Sequence, residues 1–335
     1  MSRDGNTQQA AEKRPEKRRR SSWWRWGVSL AVFLIVLRWI DLGDFQVSLT
    51  RFRWWVLLLG FLFLGVALVL FRALRLWLIL RTQDCPISFG KTLLIHWTGQ
   101  FFGFLLPGTL GTDAWRIWAV SQTEEGTGGA MAAVAIDRVV GFVGQIANIL
   151  LAWALFGGIL LRREAGGLLL DAGLFSLAAL AALAFLSSAR VAGSLTRLPI
   201  LRIRKVKGVL TRLQESLQLL RQRSGRLPFI LAIAAAGHFF NVLAVFVLAN
   251  GLGAELAFGY YMALIPLALM ATGLPISFSG LGVRDLTYVS LFQPLGVPAE
   301  IMLAASVAEF GLTILLRLIG GLFYVLSGGE SAAAR

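Results

Sequence analysis

Leu106-Pro107-Gly108-Thr109-Leu110-Gly111-Thr112-Asp113 interrupts the apolar stretch Lys91–Val120 near its middle. A proline inside a helix removes one backbone hydrogen bond and clashes with the preceding turn. Glycines at the same place lower the cost of leaving helical geometry. A second apolar stretch, Tyr260–Phe292, carries a comparable break, Gly273-Leu274-Pro275-Ile276-Ser277-Phe278-Ser279-Gly280-Leu281-Gly282. Non-helical backbone at membrane depth is tolerable only where protein or water satisfies it. Two broken segments in matching positions of two halves point to an inverted repeat with a site between them.

The flanking sequence supplies the membrane. Of 335 residues, 57% are hydrophobic and 15% charged, and the mean hydropathy is +0.72. Soluble chains average about 45–50% apolar and about 25% charged, so a soluble enzyme, a disordered chain and a fibrous protein are excluded. Apolar runs long enough to cross a bilayer are Trp24–Trp39, Trp54–Leu80, Met131–Leu161, Leu168–Leu186, Leu227–Asn250 and Ile301–Leu326. The first is too long and too rich in Trp for a signal peptide and lacks a small-residue cleavage site.

The net charge of +14 sits almost entirely in two places. Residues 1–21 hold seven Lys/Arg against three Asp/Glu, and residues 188–227 hold ten against one. Both flank apolar runs and read as cytoplasmic under the positive-inside rule. No soluble module accompanies them, which argues against nucleic acid. Placing both segments on one side requires the intervening crossings to come out even. They do so when Lys91–Val120 enters and returns to the same face; Tyr260–Phe292, which follows both segments, is read as a hairpin by its matching break.

The expected fold is an all-α polytopic membrane protein. It has about six spanning helices, two opposed re-entrant hairpins and an inverted-repeat arrangement. Short paired crossings in place of either hairpin keep the same parity. The domains are a basic cytoplasmic tail (1–22), a first membrane half (23–187, hairpin 91–120), a basic loop (188–226), a second half (227–327, hairpin 260–292) and a tail (328–335). Within the loop, Val206, Val209, Leu210, Leu213, Leu217 and Leu220 recur at helical spacing among basic residues. That pattern suits an amphipathic helix on anionic lipid, or a solvated connector.

The motifs at the breaks carry a resemblance. Gly99-Gln100-Phe101-Phe102, Leu106-Pro107-Gly108, Gly111-Thr112-Asp113 and Arg116 resemble the signature of the flippase-like family, the transmembrane region of lysylphosphatidylglycerol synthases and their stand-alone relatives. Ile136-Asp137-Arg138-Val139-Val140-Gly141 is similar to its next motif. Pro275-Ile276-Ser277 with Ser279-Gly280-Leu281-Gly282-Val283-Arg284-Asp285 is similar to its last, where Asp285 replaces the usual glutamate. The resemblance spans most of residues 24–327. It implies an inner-membrane protein of bacteria linked to lipid translocation; the crossing count above places both termini in the cytoplasm. The family's soluble synthase domain has no counterpart before Arg335, so aminoacyl transfer is not expected.

Charges within membrane spans cost roughly 2.5–3.5 kcal/mol each on insertion scales and mark function by default. Asp113 and Arg116 lie one turn apart, just after Pro107, Gly108 and Gly111. Exposed amides at a helix start favour an anion, and an arginine beside them can fork onto phosphate. The second break repeats the pattern with Ser277, Ser279, Gly280 and Gly282 before Arg284 and Asp285. One reading is a phosphate-bearing headgroup gripped from both sides; the other is two ion pairs that fix the hairpins. Asp137, Arg138, Glu309 and Arg317 are further candidates for the cavity lining. Asp137 and Arg138 are adjacent and point apart, which assigns them different partners.

Arg72, Arg75 and Arg81 approach the inner end of their helix, where snorkelling to the interface is the default and Arg72 is deep enough to be an exception. His238 and Asn241 suit interhelical hydrogen bonding. Neither a metal site nor a cofactor is expected, and no nucleotide-binding loop or catalytic triad occurs. The expected function is a lipid translocase acting on a phosphate-bearing or glycosylated headgroup, with anionic or isoprenoid-type membrane lipids as partners. Lipid-biosynthesis enzymes are the protein partners it would have. A membrane enzyme or obligate partner in lipid-linked biosynthesis, and a small-solute transporter, are the alternatives.

Overall fold

In a computed structural model, the described residues are 53–83, 85, 87–105, 110–122, 126–161, 167, 170–178, 224–272 and 282–326. The basic tail, the first expected span, most of Leu168–Leu186, the basic loop before Ser224 and the two Pro/Gly breaks lie outside them. Every regular element among the described residues is helical. In chain order they are α1 (Trp54–Thr82), α2 (Phe89–Leu105), α3 (Leu110–Ser121), α4 (Gly126–Leu160), α5 (Leu227–Gly251), α6 (Phe258–Thr272), α7 (Val283–Phe292) and α8 (Ala299–Leu326).

Four of these, α1, α4 from Gly129, α5 and α8, are long and apolar enough to cross a membrane. The chain is an all-α polytopic membrane protein. Their surfaces are apolar nearly all round, as expected of helices that meet lipid on one side and protein on the other. Leu155, Phe229, Leu322 and Val325 are among the large apolar side chains left on the outside. Trp54, 75% exposed, stands at the start of α1, where an amphipathic ring suits the headgroup layer.

Helices in lipid gain little from burying apolar area against each other, so close packing and polar bridges decide the contacts. Small residues provide the approach. A Cβ on Gly144 would lie 2.9 Å from the backbone carbon of Ala234, and one on Gly320 would lie 2.5 Å from the Trp97 carbonyl oxygen. Asn148 Nδ2 bridges α4 to α5 by donating to the Ala235 carbonyl at 2.9 Å, and Trp97 Nε1 bridges α2 to α8 through the Leu316 carbonyl at 2.8 Å.

The contacts also fix relative direction. Val56 meets Gly251 and Phe71 meets Gly237, so α1 and α5 are antiparallel. Gly60 meets Leu312 and Gly65 meets Leu316, so α1 and α8 run the same way. Gly144 meets Ala234, while Phe156 and Phe246 both pack on Phe258, so α4 runs with α5. These relative directions agree with the expected sequence of crossings.

Each broken stretch is a pair of helices folded back on itself. In the first, Gly99 of α2 faces Trp115 and Arg116 of α3, while Gly103 faces Thr112. In the second, the Tyr261 and Phe292 rings lie 4.9 Å apart across α6 and α7. The first pair starts beside the end of α1, where Trp77 Nε1 donates to the Ile87 carbonyl at 3.1 Å. The second starts just after Gly251, beside the beginning of α1. The two hairpins therefore open from opposite ends of the bundle. Each has its own core. Leu76, Ile79, Ile95, Ala119 and Ile136 surround the first, and Tyr261, Tyr288, Phe292, Met302 and Leu303 the second.

One irregularity is absent from the sequence reading. Residues Val66–Phe71 of α1 form a π-helical turn. Such turns are rare and recur at functional sites, and Arg72 and Arg75 follow it directly.

Candidate functional site

The first hairpin carries a charged network between α1, α2, α3 and α4. Arg116 of α3 turns inward and is 5% exposed. Its Nη1 lies 3.3 Å from Asp137 Oδ2 on α4, and Arg75 Nε of α1 donates to Asp137 Oδ1 at 2.6 Å. One carboxylate thus holds two guanidinium groups. Arg116 also bonds His96 Nδ1 of α2. His96 Nε2 lies 2.8 Å from the Leu68 carbonyl within the π-helical turn. A carbonyl only accepts, so Nε2 carries the proton and Nδ1 accepts from Arg116. The irregular turn, both arms of the hairpin and α4 are joined through Arg116.

Asp113 faces the other way. Arg138 of α4 donates to its Oδ2 from Nε at 2.8 Å, whereas Arg116 Nη1 is 3.9 Å from its Oδ1. The adjacent Asp137 and Arg138 do have different partners. The anticipated Asp113–Arg116 pair is the longest contact in the network, because Arg116 is drawn toward Asp137. Arg116 Nε and Asp113 Oδ1 are buried without a hydrogen-bond partner among the described residues. Among the described residues, four guanidinium groups (Arg72, Arg75, Arg116 and Arg138) face two carboxylates, an excess of positive charge within that set.

The second hairpin holds a smaller, self-contained set. Gly282 caps α7 at φ +79° and ψ −56°, a conformation that side chains disfavour. Its N–H donates to Asp285 Oδ2 at 2.8 Å. The shorter acidic residue at 285 reaches back to its own helix start. Asp285 Oδ1 accepts from Arg284 Nη2 at 3.1 Å and from Ser306 Oγ at 2.6 Å. Arg284 Nε donates to Ser306 Oγ at 2.8 Å, and its guanidinium lies 5.1 Å from the Phe310 ring centre. Tyr288 donates to Glu309 Oε2 at 2.9 Å, and Asn241 also bonds that carboxylate. Arg284 and Asp285 are buried with their charges matched.

Between the two sets stands Arg317 of α8, within the electrostatic reach of both Arg284 and Arg72. Together with Leu68, Trp97, Gln100 and Thr313 it lines a narrow cleft that has room for about one water. A second narrow cleft opens beside the π-helical turn on the α5 side and is lined by Phe71, Arg72, Arg75, Gly237 and His238.

The sequence-predicted residues therefore divide. Asp113, Arg116, Asp137 and Arg138 form one network, and Arg284, Asp285 and Glu309 belong to another. Gly111 is buried at the start of α3. Glu309 pairs with Tyr288 and Asn241. Pro107, Gly108, Ser277, Ser279 and Gly280 lie outside the described residues. Arg75 requires a correction. It does not snorkel but is 6% exposed and bound to Asp137, because its partner on α4 lies at the same depth. Arg81 does reach outward, stacking 4.5 Å from the Trp77 ring centre. Residues not foreseen in these networks are Arg75, His96, Tyr288 and Ser306. Ser306 lies one turn before Glu309 on the polar stripe of α8, the one signal that pointed to it.

The sequence pattern of the family described as the lysylphosphatidylglycerol synthase TM region matches residues 23–321. No curated protein and no solved structure matches the chain.

Proposed function

This chain belongs to the lysylphosphatidylglycerol synthase transmembrane-region family, and from that premise we propose that it moves a lipid across the bacterial inner membrane. The cargo has a phosphate-bearing or glycosylated headgroup. The headgroup enters between the two hairpins while the acyl chains stay in the bilayer, and both hairpins re-enter the membrane from opposite faces. Both termini are cytoplasmic. The observation that carries this reading is the positive excess around Arg116 inside an apolar bundle. Buried charge without a counter-charge is costly, and an arriving phosphate offsets it. Charge-assisted forks from arginine suit such a group. Residue by residue, Arg116 contacts the headgroup, Asp137 and His96 hold Arg116 in place, and Asp113 with Arg138 lines the entrance. Arg284 is already engaged by Asp285 and Ser306, and it braces the start of α7 in the second hairpin. Membrane lipids are the partners; lipid-biosynthesis enzymes upstream of the cargo are the protein partners in this reading. No cofactor and no catalytic step is invoked.

The test is headgroup translocation in reconstituted vesicles, followed with a fluorescent phosphatidylglycerol and an impermeant quencher. Wild-type protein should move the probe. Arg116→Gln should abolish movement while the protein stays monodisperse in detergent. Unchanged translocation by Arg116→Gln removes the assigned role.

A further inference from the structure

We infer that Glu309 of α8 binds a proton and gives it up during the transport cycle, so that lipid movement draws on a proton gradient. This names the energy source of the translocation read above and rests on that reading. Glu309 is 4% exposed, and both groups that hold it are neutral. Tyr288 of α7 donates to Oε2 at 2.9 Å, and Asn241 of α5 bonds the same carboxyl group. Arg284, its neighbour on α7, is committed to Asp285 and Ser306. Other titratable groups on the packed helices are turned elsewhere. His238 of α5 bonds the Gly141 backbone, His96 of α2 bonds Leu68 and Arg116, and Arg75 of α1 bonds Asp137. Arg317, two turns along α8, and Arg72 of α1 act on each other at longer range. A carboxyl group held by neutral donors is far cheaper to bury as the acid than as the anion.

The mark of the proton is a stranded acceptor. Asn241 is 2% exposed, and its Oδ1 has no hydrogen-bond partner among the described residues. An ionised Glu309 only accepts, so Asn241 gives it the NH2 group and leaves Oδ1 without a donor. The neutral acid has an O–H to donate. A half-turn of the amide brings Oδ1 onto that O–H and frees the NH2 group for the carbonyl four residues earlier, at Gly237. Two other helical asparagines already bond in this way: Asn148 donates to the Gly144 carbonyl at 3.0 Å and Asn250 to the Phe246 carbonyl at 3.1 Å. The two settings of one amide thus match the unloaded and the loaded carboxyl group.

The proton also has a way in. Ser306, Glu309, Thr313 and Arg317 share one face of α8. Thr313 is one turn past Glu309, about 5–6 Å away, and lines the narrow cleft with Gln100 and Arg317 that has room for about one water. Oε2 accepts from Tyr288, so Oε1 takes the proton. A hydronium ion in the cleft gives it up and becomes water, and the reverse step returns it; one O–H bond forms as another breaks, and no electron moves. Acids buried in membrane spans serve as such relays.

The experiment uses the full chain in vesicles containing phosphatidylglycerol. Infrared difference spectra between alkaline and acidic buffer should show the C=O stretch of a buried carboxylic acid. Glu309→Gln should delete that band, and Tyr288→Phe, which removes its donor, should move it. A spectrum without such a band, or a band that neither variant alters, overturns the site. Glu309→Gln should match the wild-type thermal midpoint, because the amide reproduces the hydrogen bonds of the acid. A large loss identifies an ionised structural carboxylate and overturns the site too. Transport is read separately. In wild type, a gradient of one pH unit should bias a fluorescent phosphatidylglycerol about tenfold toward one leaflet, and Glu309→Gln should show no bias. Wild-type movement that ignores the gradient overturns the coupling and leaves the translocation reading standing. A wild type that moves no probe under any gradient removes the translocation reading, and the coupling falls with it.

Discussion

The two hairpins use the same residue types to opposite ends. Around the second, every charged group is hydrogen-bonded: Asp285 satisfies Gly282, Arg284 and Ser306, and Glu309 is bonded by Tyr288 and Asn241, so two carboxylates go with one guanidinium. Around the first, among the described residues, four arginines share two aspartates, and Arg116 Nε and Asp113 Oδ1 have no hydrogen-bond partner there. A satisfied buried network makes a rigid fixture, whereas an incomplete one remains ready for another group. Under the proposed function the hairpins do different work: the second is a frame, and the first is a receptor for negative charge.

That contrast can be broken by substitution. The largest loss of stability is expected for Asp285→Ala, which strands Arg284 in the bundle interior at a cost of about 3–5 kcal/mol. A fall in thermal midpoint, or aggregation on extraction, would register it. Ser306→Ala removes the hydroxyl linking Arg284 to Asp285 and should cost about 1–3 kcal/mol, read by the same unfolding assay. Gly282→Ala forces a side chain into a conformation favoured by glycine, at about 1–3 kcal/mol. It should also slow translocation if the α7 start faces the cargo. Arg116→Gln should cost least, about 0.5–1.5 kcal/mol, because Asp137 keeps Arg75 and the region loses a surplus cation. Its effect belongs to transport. If Arg116→Gln destabilises more than Asp285→Ala, the contrast between frame and receptor is reversed.

Much of the architecture was legible because lipid imposes simple rules. The runs Trp54–Leu80, Met131–Leu161, Leu227–Asn250 and Ile301–Leu326 became α1, α4, α5 and α8 within a few residues. Proline and glycine marked both fold-backs. The separation of Asp137 from Arg138 followed from their adjacency on a helix. What did not show were contacts between helices distant in sequence. Arg75 reads as an end-of-helix residue until Asp137, 62 residues later, is brought beside it. His96 resembled any isolated histidine, because its partners Leu68 and Arg116 lie on other helices. The π-helical turn has no mark in Val66-Ala67-Leu68-Val69-Leu70-Phe71, a run equally suited to an ordinary helix. Tertiary bonds select it.

That turn sets a counting rule for α1. A π-helical turn holds one residue more than an α-helical one, and each residue turns a helix by about 100°. Removing one residue between Val66 and Phe71 would close an ordinary α-helical turn of nearly the same rotation and leave Arg72 and Arg75 in phase with Gly60 and Gly65. Removing two, or inserting one more, would swing both arginines about a quarter-turn while the glycines still met α5 and α8. Volume-conserving exchanges among these six apolar residues should cost under about 1.5 kcal/mol. The segment is therefore permissive in composition and tolerant of one deletion only, so other indels there should be far rarer among functional variants than substitutions.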